Sequence, residues 1–210
     1  MPKTPLKFEL PSVAPDQDGR KQRSQSSRAK IIQALLQLVG TGDYAPSAAR
    51  VAEQAGVGLR TVFRQFDDMD SLYREMTDAI EAKVLPIMLE SLAGAGWKQR
   101  LLSAADRRAQ VFEMVMPYRI SANLKRFQSD YLMQDYRRML TLEKSMIESL
   151  LPDGVRADPI ALHSINAVLS FQTWRLLRHD HDLPVEDARA VVRRLLGAAL
   201  ADNAKPAPQD

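Results

Sequence analysis

Apolar residues recur at helical spacing along nearly the whole chain, and no stretch sustains the two-residue alternation of a strand. Ile31, Ile32, Leu35, Leu36 and Val39 follow a 3.6-residue period and predict a first amphipathic helix over 24–39, ended by Gly40 and Gly42. Ser47, after Pro46 and before AARVAEQA, is a natural N-cap for a short second helix, and Gly56 can take the left-handed conformation that closes it. LRTVFRQF then reads as an equally short third helix. Asp68 or Asp70 caps a fourth over 71–91, with Pro86 placed to kink or break it.

After Gly94 and Gly96 the period predicts helices over 97–116, 118–127 beyond a break at Pro117, 129–151, 158–178 and 185–202. The fold class is all-α. The expected division is a flexible tail with a basic arm over 1–23, a helix-turn-helix domain over 24–70, a second helical domain over 71–203 and a fraying tail over 204–210.

Two helices of about two turns each are marginal alone in water. Packed at a glycine turn, the first braces the second and aims it outward, as in a helix-turn-helix. Val51, Ala52, Ala55, Val57, Val62 and Phe66 supply a small core shared with the first helix. Leu59, Arg60, Thr61, Phe63 and Arg64 are left near the outside. An α-helix fits the DNA major groove, arginine pairs bidentately with guanine there, and hydroxyls and main-chain N–H groups hold phosphates.

Charge strengthens this picture. The net charge is +3, yet residues 20–66 alone carry eight cations against Asp43 and Glu53. The excess marks where an anionic partner docks, with Arg23 and Arg28 among its contributors and the arm at 20–23 free to follow phosphates or the minor groove.

Other chemistry finds little support. The chain has no cysteine, which excludes disulfides and thiolate metal sites and fits a reducing cytoplasm. No apolar run approaches the roughly 20 residues of a membrane span, and the N-terminus lacks the apolar core of a signal peptide. With three histidines, nucleophile–base arrangements have little to draw on, and no enzyme activity or cofactor is expected. The run His179–Asp182 alternates imidazoles and carboxylates, but at the end of a helix it reads as a loop rather than a metal site.

The stretch 28–79 resembles the N-terminal domain of the tetracycline-repressor (TetR) family of bacterial transcription regulators. The elements that carry the likeness are Ser47, Val51-Ala52, Ala55-Gly56-Val57, Thr61-Val62-Phe63, Phe66 and Asp70-Ser71-Leu72. The resemblance implies phosphate contacts from Ser47, Thr61 and the Phe63 position; Gly58, at the start of the third helix, is a further DNA-binding candidate. The resemblance also implies base-edge contacts from Leu59, Arg60 and Arg64. Two positions depart from the family: Phe63 stands where tyrosine is usual, and Met69 where lysine is usual, each removing a phosphate contact.

The resemblance further implies a homodimer built on the last two helices, where Val168, Phe171, Leu176, Val192, Leu195, Leu196 and Ala199 are the expected interface residues. It also implies a pocket for a small-molecule effector of unknown identity. Met114, Tyr118, Phe127, Tyr131, His163, Asn166 and Trp174 are its candidates. The expected function is a ligand-responsive dimeric repressor on double-stranded DNA, with Pro86 as a place to absorb the motion. The alternatives are a helical interaction module or a small-molecule enzyme without sequence-specific DNA binding.

Overall fold

The structure, a computed structural model, describes residues 19–201. Among them it is all-α, with no strand. The helices are α1 (Gly19–Gly40), α2 (Ala48–Ala55), α3 (Leu59–Gln65), α4 (Met69–Leu89), α5 (Trp97–Lys125), α6 (Asp130–Glu148), α7 (Asp153–Arg156), α8 (Pro159–Val168), α9 (Phe171–Arg175) and α10 (Val185–Ala201). A π-helical turn, Leu176–Asp180, continues α9. Residues 1–18 of the tail expected over 1–23, and the whole tail expected over 204–210, lie outside the described residues.

Local chemistry sets most of these boundaries. The Ser47 hydroxyl accepts the Arg50 N–H at 3.2 Å and so caps α2. Ser129 caps α6 through the Leu132 N–H at 3.0 Å. Asp158 caps α8 by accepting from Ile160 and Ala161, with Pro159 in the first turn, where its missing N–H costs nothing.

At α4 the Ser71 N–H donates to Asp68 Oδ1 at 2.7 Å, while the Asp68 N–H donates back to Ser71 Oγ at 3.3 Å. This reciprocal cap holds the Asp68 carboxyl below its ordinary range, chiefly through the Ser71 N–H. A lowered pKa means the cap contributes fully above the usual carboxylate range and is lost as pH falls through the lowered value. Asp68→Ala is expected to cost about 1 kcal/mol at neutral pH in urea unfolding, with the difference from the parent vanishing in strong acid. An unchanged midpoint at neutral pH would count against the cap.

Three expectations are corrected. The arm at 20–23 is helical, because α1 begins at Gly19. Pro117 does not end a helix: α5 runs through it for 29 residues, just as α4 runs through Pro86. The lost hydrogen bond is outweighed by tertiary burial, since Val115, Met116, Tyr118 and Ile120 around Pro117 are all buried. The single helix expected over 158–178 is interrupted instead. Ser170 starts a new helix there, accepting the Thr173 N–H at 3.1 Å and donating to the Ala167 carbonyl at 2.8 Å.

The chain forms two compact units that are each discontinuous in sequence. One comprises the described residues up to Leu85 with Met114–Tyr136; the other comprises Pro86–Glu113 with the described residues from Arg137 onward. A single cut at residue 70 therefore does not describe it. In the first unit, Ile31, Leu35, Leu36, Val51, Val62 and Phe66 share one core with Leu72, Tyr73 and Met76 of α4, Tyr118 of α5 and Leu132 of α6.

In the second unit, Leu101, Phe112, Ile147, Ile165, Phe171, Trp174 and Leu196 are buried, and Phe112 meets Phe171 edge-on at 5.5 Å. Arg108 is also buried there. It donates to the Leu169 carbonyl at 2.9 Å and to the Glu143 carbonyl, so the helix end exposed by the α8–α9 break finds a donor.

Candidate nucleic-acid interface

The first unit builds its outward helix from a few local devices. Gly56 closes α2 at φ +64, and the N–H of the next residue, Val57, reaches back to the Ala52 carbonyl at 3.0 Å. A Cβ at Gly56 would meet nothing within 4 Å, so glycine is required there by backbone conformation, not by space. Gly58 then extends the chain and leads into α3, whose Thr61 N–H reaches the Gly58 carbonyl at 2.8 Å.

Val62 and the following Phe66 turn α3 onto the core. Leu59, Arg60, Phe63 and Arg64 face solvent, and Thr61 is half-buried. Among the described residues, Arg60 and Arg64 have neither an ion pair nor a side-chain hydrogen bond, so both charges stay available. Ser47 is exposed at the start of α2. Its oxygen accepts within the cap, which leaves its O–H to donate outward. Arg23 is exposed on α1.

Arg28 takes a different place from the one expected. One of its nitrogens donates to the Gln65 carbonyl at the end of α3, another donates to Glu75 Oε1 of α4 at 2.6 Å, and its guanidinium lies 4.3 Å over the Phe66 ring. It clamps α1 to α3 and α4, where the last carbonyls of a helix attract a cation. Gln65 adds a second tie, from Nε2 to Ser24 Oγ at 3.0 Å. The sequence gives no sign of this clamp, because its partners lie 37 and 47 residues away.

Met69 is half-buried against the core and serves packing. An open groove of about 950 Å³ runs between α1 and α2, with Arg23, Lys30, Gln33, Gln37 and Gln54 on its walls.

The seven effector-pocket candidates divide between the two units. In the first, Tyr118 is buried, Met114 and Tyr131 are half-buried, and Phe127 is 76% exposed. Arg74 lies over the Tyr131 ring at 4.5 Å, and Arg126 over Phe127 at 4.7 Å. In the second, His163 is exposed and Asn166 Nδ2 is spent on the Leu162 carbonyl of its own helix at 2.9 Å. Trp174 is buried, and its Nε1 donates to Glu113 at 2.9 Å. Glu113 also receives Arg178 Nε at 2.8 Å and Nη2 at 3.1 Å, a forked pair that fastens the π-helical turn to α5.

Burial raises the Tyr118 phenol from 10 to about 12. A raised pKa means its contribution is whole below pH 10 and is lost as pH climbs through 12. Tyr118→Phe should therefore hold more of its stability across that window than the parent, as urea midpoints taken from pH 8 upward will show.

The expected dimer residues divide as well. Phe171, Val192 and Leu196 are buried in the second unit's own core, and Val168 and Ala199 are half-buried. Leu176 and Leu195 are exposed, as is Ile160 at 80%. The run at 179–182 holds a 3.0 Å contact between His179 Nδ1 and Asp180 Oδ1. Asp180 also pairs with Arg175 at 3.1 Å. Among the described residues no cluster of metal-ligating side chains occurs, and no helix is long and apolar enough to cross a membrane.

No protein-family model matches the chain, and no curated protein matches it in sequence. Its fold is similar to that of a solved transcriptional regulator from Rhodococcus sp. Rha1, with 17% identity, a TM-score of 0.62, and coverage of 87% of this chain and 99% of that one.

Proposed function

We propose that this chain is a transcription regulator of the TetR type, a homodimeric repressor in the cytoplasm whose helix-turn-helix reads a palindromic operator in double-stranded DNA. The observation that carries the reading is α3. A seven-residue helix is braced from behind by Val62 and the adjacent Phe66, held at its end by Arg28, and left with two unpaired arginines and two apolar side chains in solvent. An α-helix fits the major groove, and these arginines carry the donors that guanine accepts. The regulator whose fold is similar supports the same class.

A two-fold dimer would set two such helices on successive major grooves, about 34–36 Å apart. Ile160, Leu176 and Leu195 are exposed apolar positions available to a second copy. An effector bound in the helical unit would change DNA affinity only by the difference in its own affinity for the two arrangements. The unit boundary at Leu85–Pro86 within α4 suits Pro86 as the point that absorbs the change.

Selection of bound duplexes from a randomised pool, then anisotropy titration of the winner across salt concentrations, tests the reading. A palindromic winner bound far more tightly than scrambled duplex, with a steep salt slope, is the expected result. Weak, sequence-blind binding would overturn it in favour of a helical interaction module.

A further inference from the structure

The outer face of α3 carries two different chemistries side by side. Leu59 and Phe63 are one turn apart and 43% and 53% exposed. At 3.6 residues per turn they stand about 40° apart around the axis, while Arg60 and Arg64 follow about 100° further round. An apolar stripe thus lies directly beside a basic one, and neither is covered by any other part of the described chain.

Isolated exposed leucines are ordinary on protein surfaces. This pair is not isolated: the arginines stand opposite the inward Val62, and Leu59 and Phe63 form the flank of the same outer face, both still exposed to solvent. Phe63 has no polar atom, so its ring cannot bond a phosphate and gains only by leaving water. In the major groove the apolar feature on offer is the C5-methyl group of thymine.

Resting on the DNA-binding reading above, we infer that Leu59 and Phe63 read thymine through its C5-methyl group. Each operator half-site then carries at least one thymine adjacent to the guanine that Arg60 or Arg64 reads. The two stripes are specificity-determining together: the arginines select by hydrogen bond and the apolar pair by burial of a methyl.

The duplex selected from the randomised pool supplies the test. Each thymine is replaced in turn by deoxyuridine, which removes the methyl and leaves the Watson–Crick pairing and the O4 acceptor unchanged. Binding is measured for the full chain and for Leu59→Ala and Phe63→Ala, both at exposed positions, with circular dichroism to verify that each variant is folded. The expected result is an affinity loss of about fourfold per contacted methyl at one or two thymines in each half-site. In the corresponding alanine variant, thymine and deoxyuridine duplexes should bind alike.

If the parent binds its selected duplex specifically yet ignores every methyl deletion, or if both variants keep the discrimination, the inference is overturned while the helix-turn-helix reading stands. If no duplex is enriched, the DNA-binding reading falls and takes the inference with it. Retention by an acidic protein partner would then be the use of this face.

Discussion

Glu113→Ala is expected to lower the unfolding free energy by about 3 kcal/mol, the low end for breaking a buried ion pair by removing one partner. Glu113 keeps 21% of its side-chain exposure and Arg178 only 10%, so the stranded guanidinium bears most of the cost. Trp174 Nε1 loses its acceptor in the same step. Arg178 also donates to the Leu183 carbonyl, so one side chain ties the π-helical turn both to α5 and to the segment that follows it. Glu113→Gln keeps an oxygen for Trp174 and should cost less than alanine. Urea midpoints at one fixed protein concentration measure both, since self-association would make them concentration-dependent. A shift below 1 kcal/mol for alanine would mean that the pair is already well solvated.

Arg60→Ala is expected to weaken binding to the selected operator by about 1–3 kcal/mol while leaving scrambled duplex nearly untouched, because a base-edge contact carries sequence information. Arg23→Ala makes the contrast. Arg23 is exposed on α1, not on α3, and its loss should weaken every duplex alike and reduce the salt slope by about one. Parallel anisotropy titrations on operator and scrambled DNA separate the two. Equal losses on both duplexes for Arg60→Ala would remove α3 from the role of reading helix.

The helix-turn-helix was legible because its signals are local. The 3.6-residue period of Ile31 to Val39, the Ser47 cap and the Gly56 turn each depend on residues a few positions apart, and each appears in the structure as read. What was not legible depends on distant partners. Arg28 counts as one more cation in the sequence, and only the folded chain shows it spent on Gln65 and Glu75. Pro117 reads as a helix end because its local penalty is known, whereas the burial that outweighs it is tertiary. The apolar run from Ile160 to Leu177 reads as one helix all round. The break at Ser170 rests on a hydroxyl cap that competes with continuation of the helix. For the same reason Phe171, Val192 and Leu196 read as interface positions for a second copy, while they are buried within the unit's own core.

The discontinuity of the two units has a consequence for the order of events during synthesis. Tyr118 and Leu132 belong to the same core as Leu35, Val51 and Val62, yet they are made long after α3. A nascent chain that has emerged only as far as Leu85 carries every residue of the helix-turn-helix but lacks the α5 and α6 residues that complete its core. Such a chain exposes apolar surface until the sequence as far as Leu132 has also left the ribosome, and in that interval association with a holdase or with another nascent copy competes with folding. A stop codon in the middle of the gene would therefore not release a working DNA-binding head; it would release a fragment with an open core.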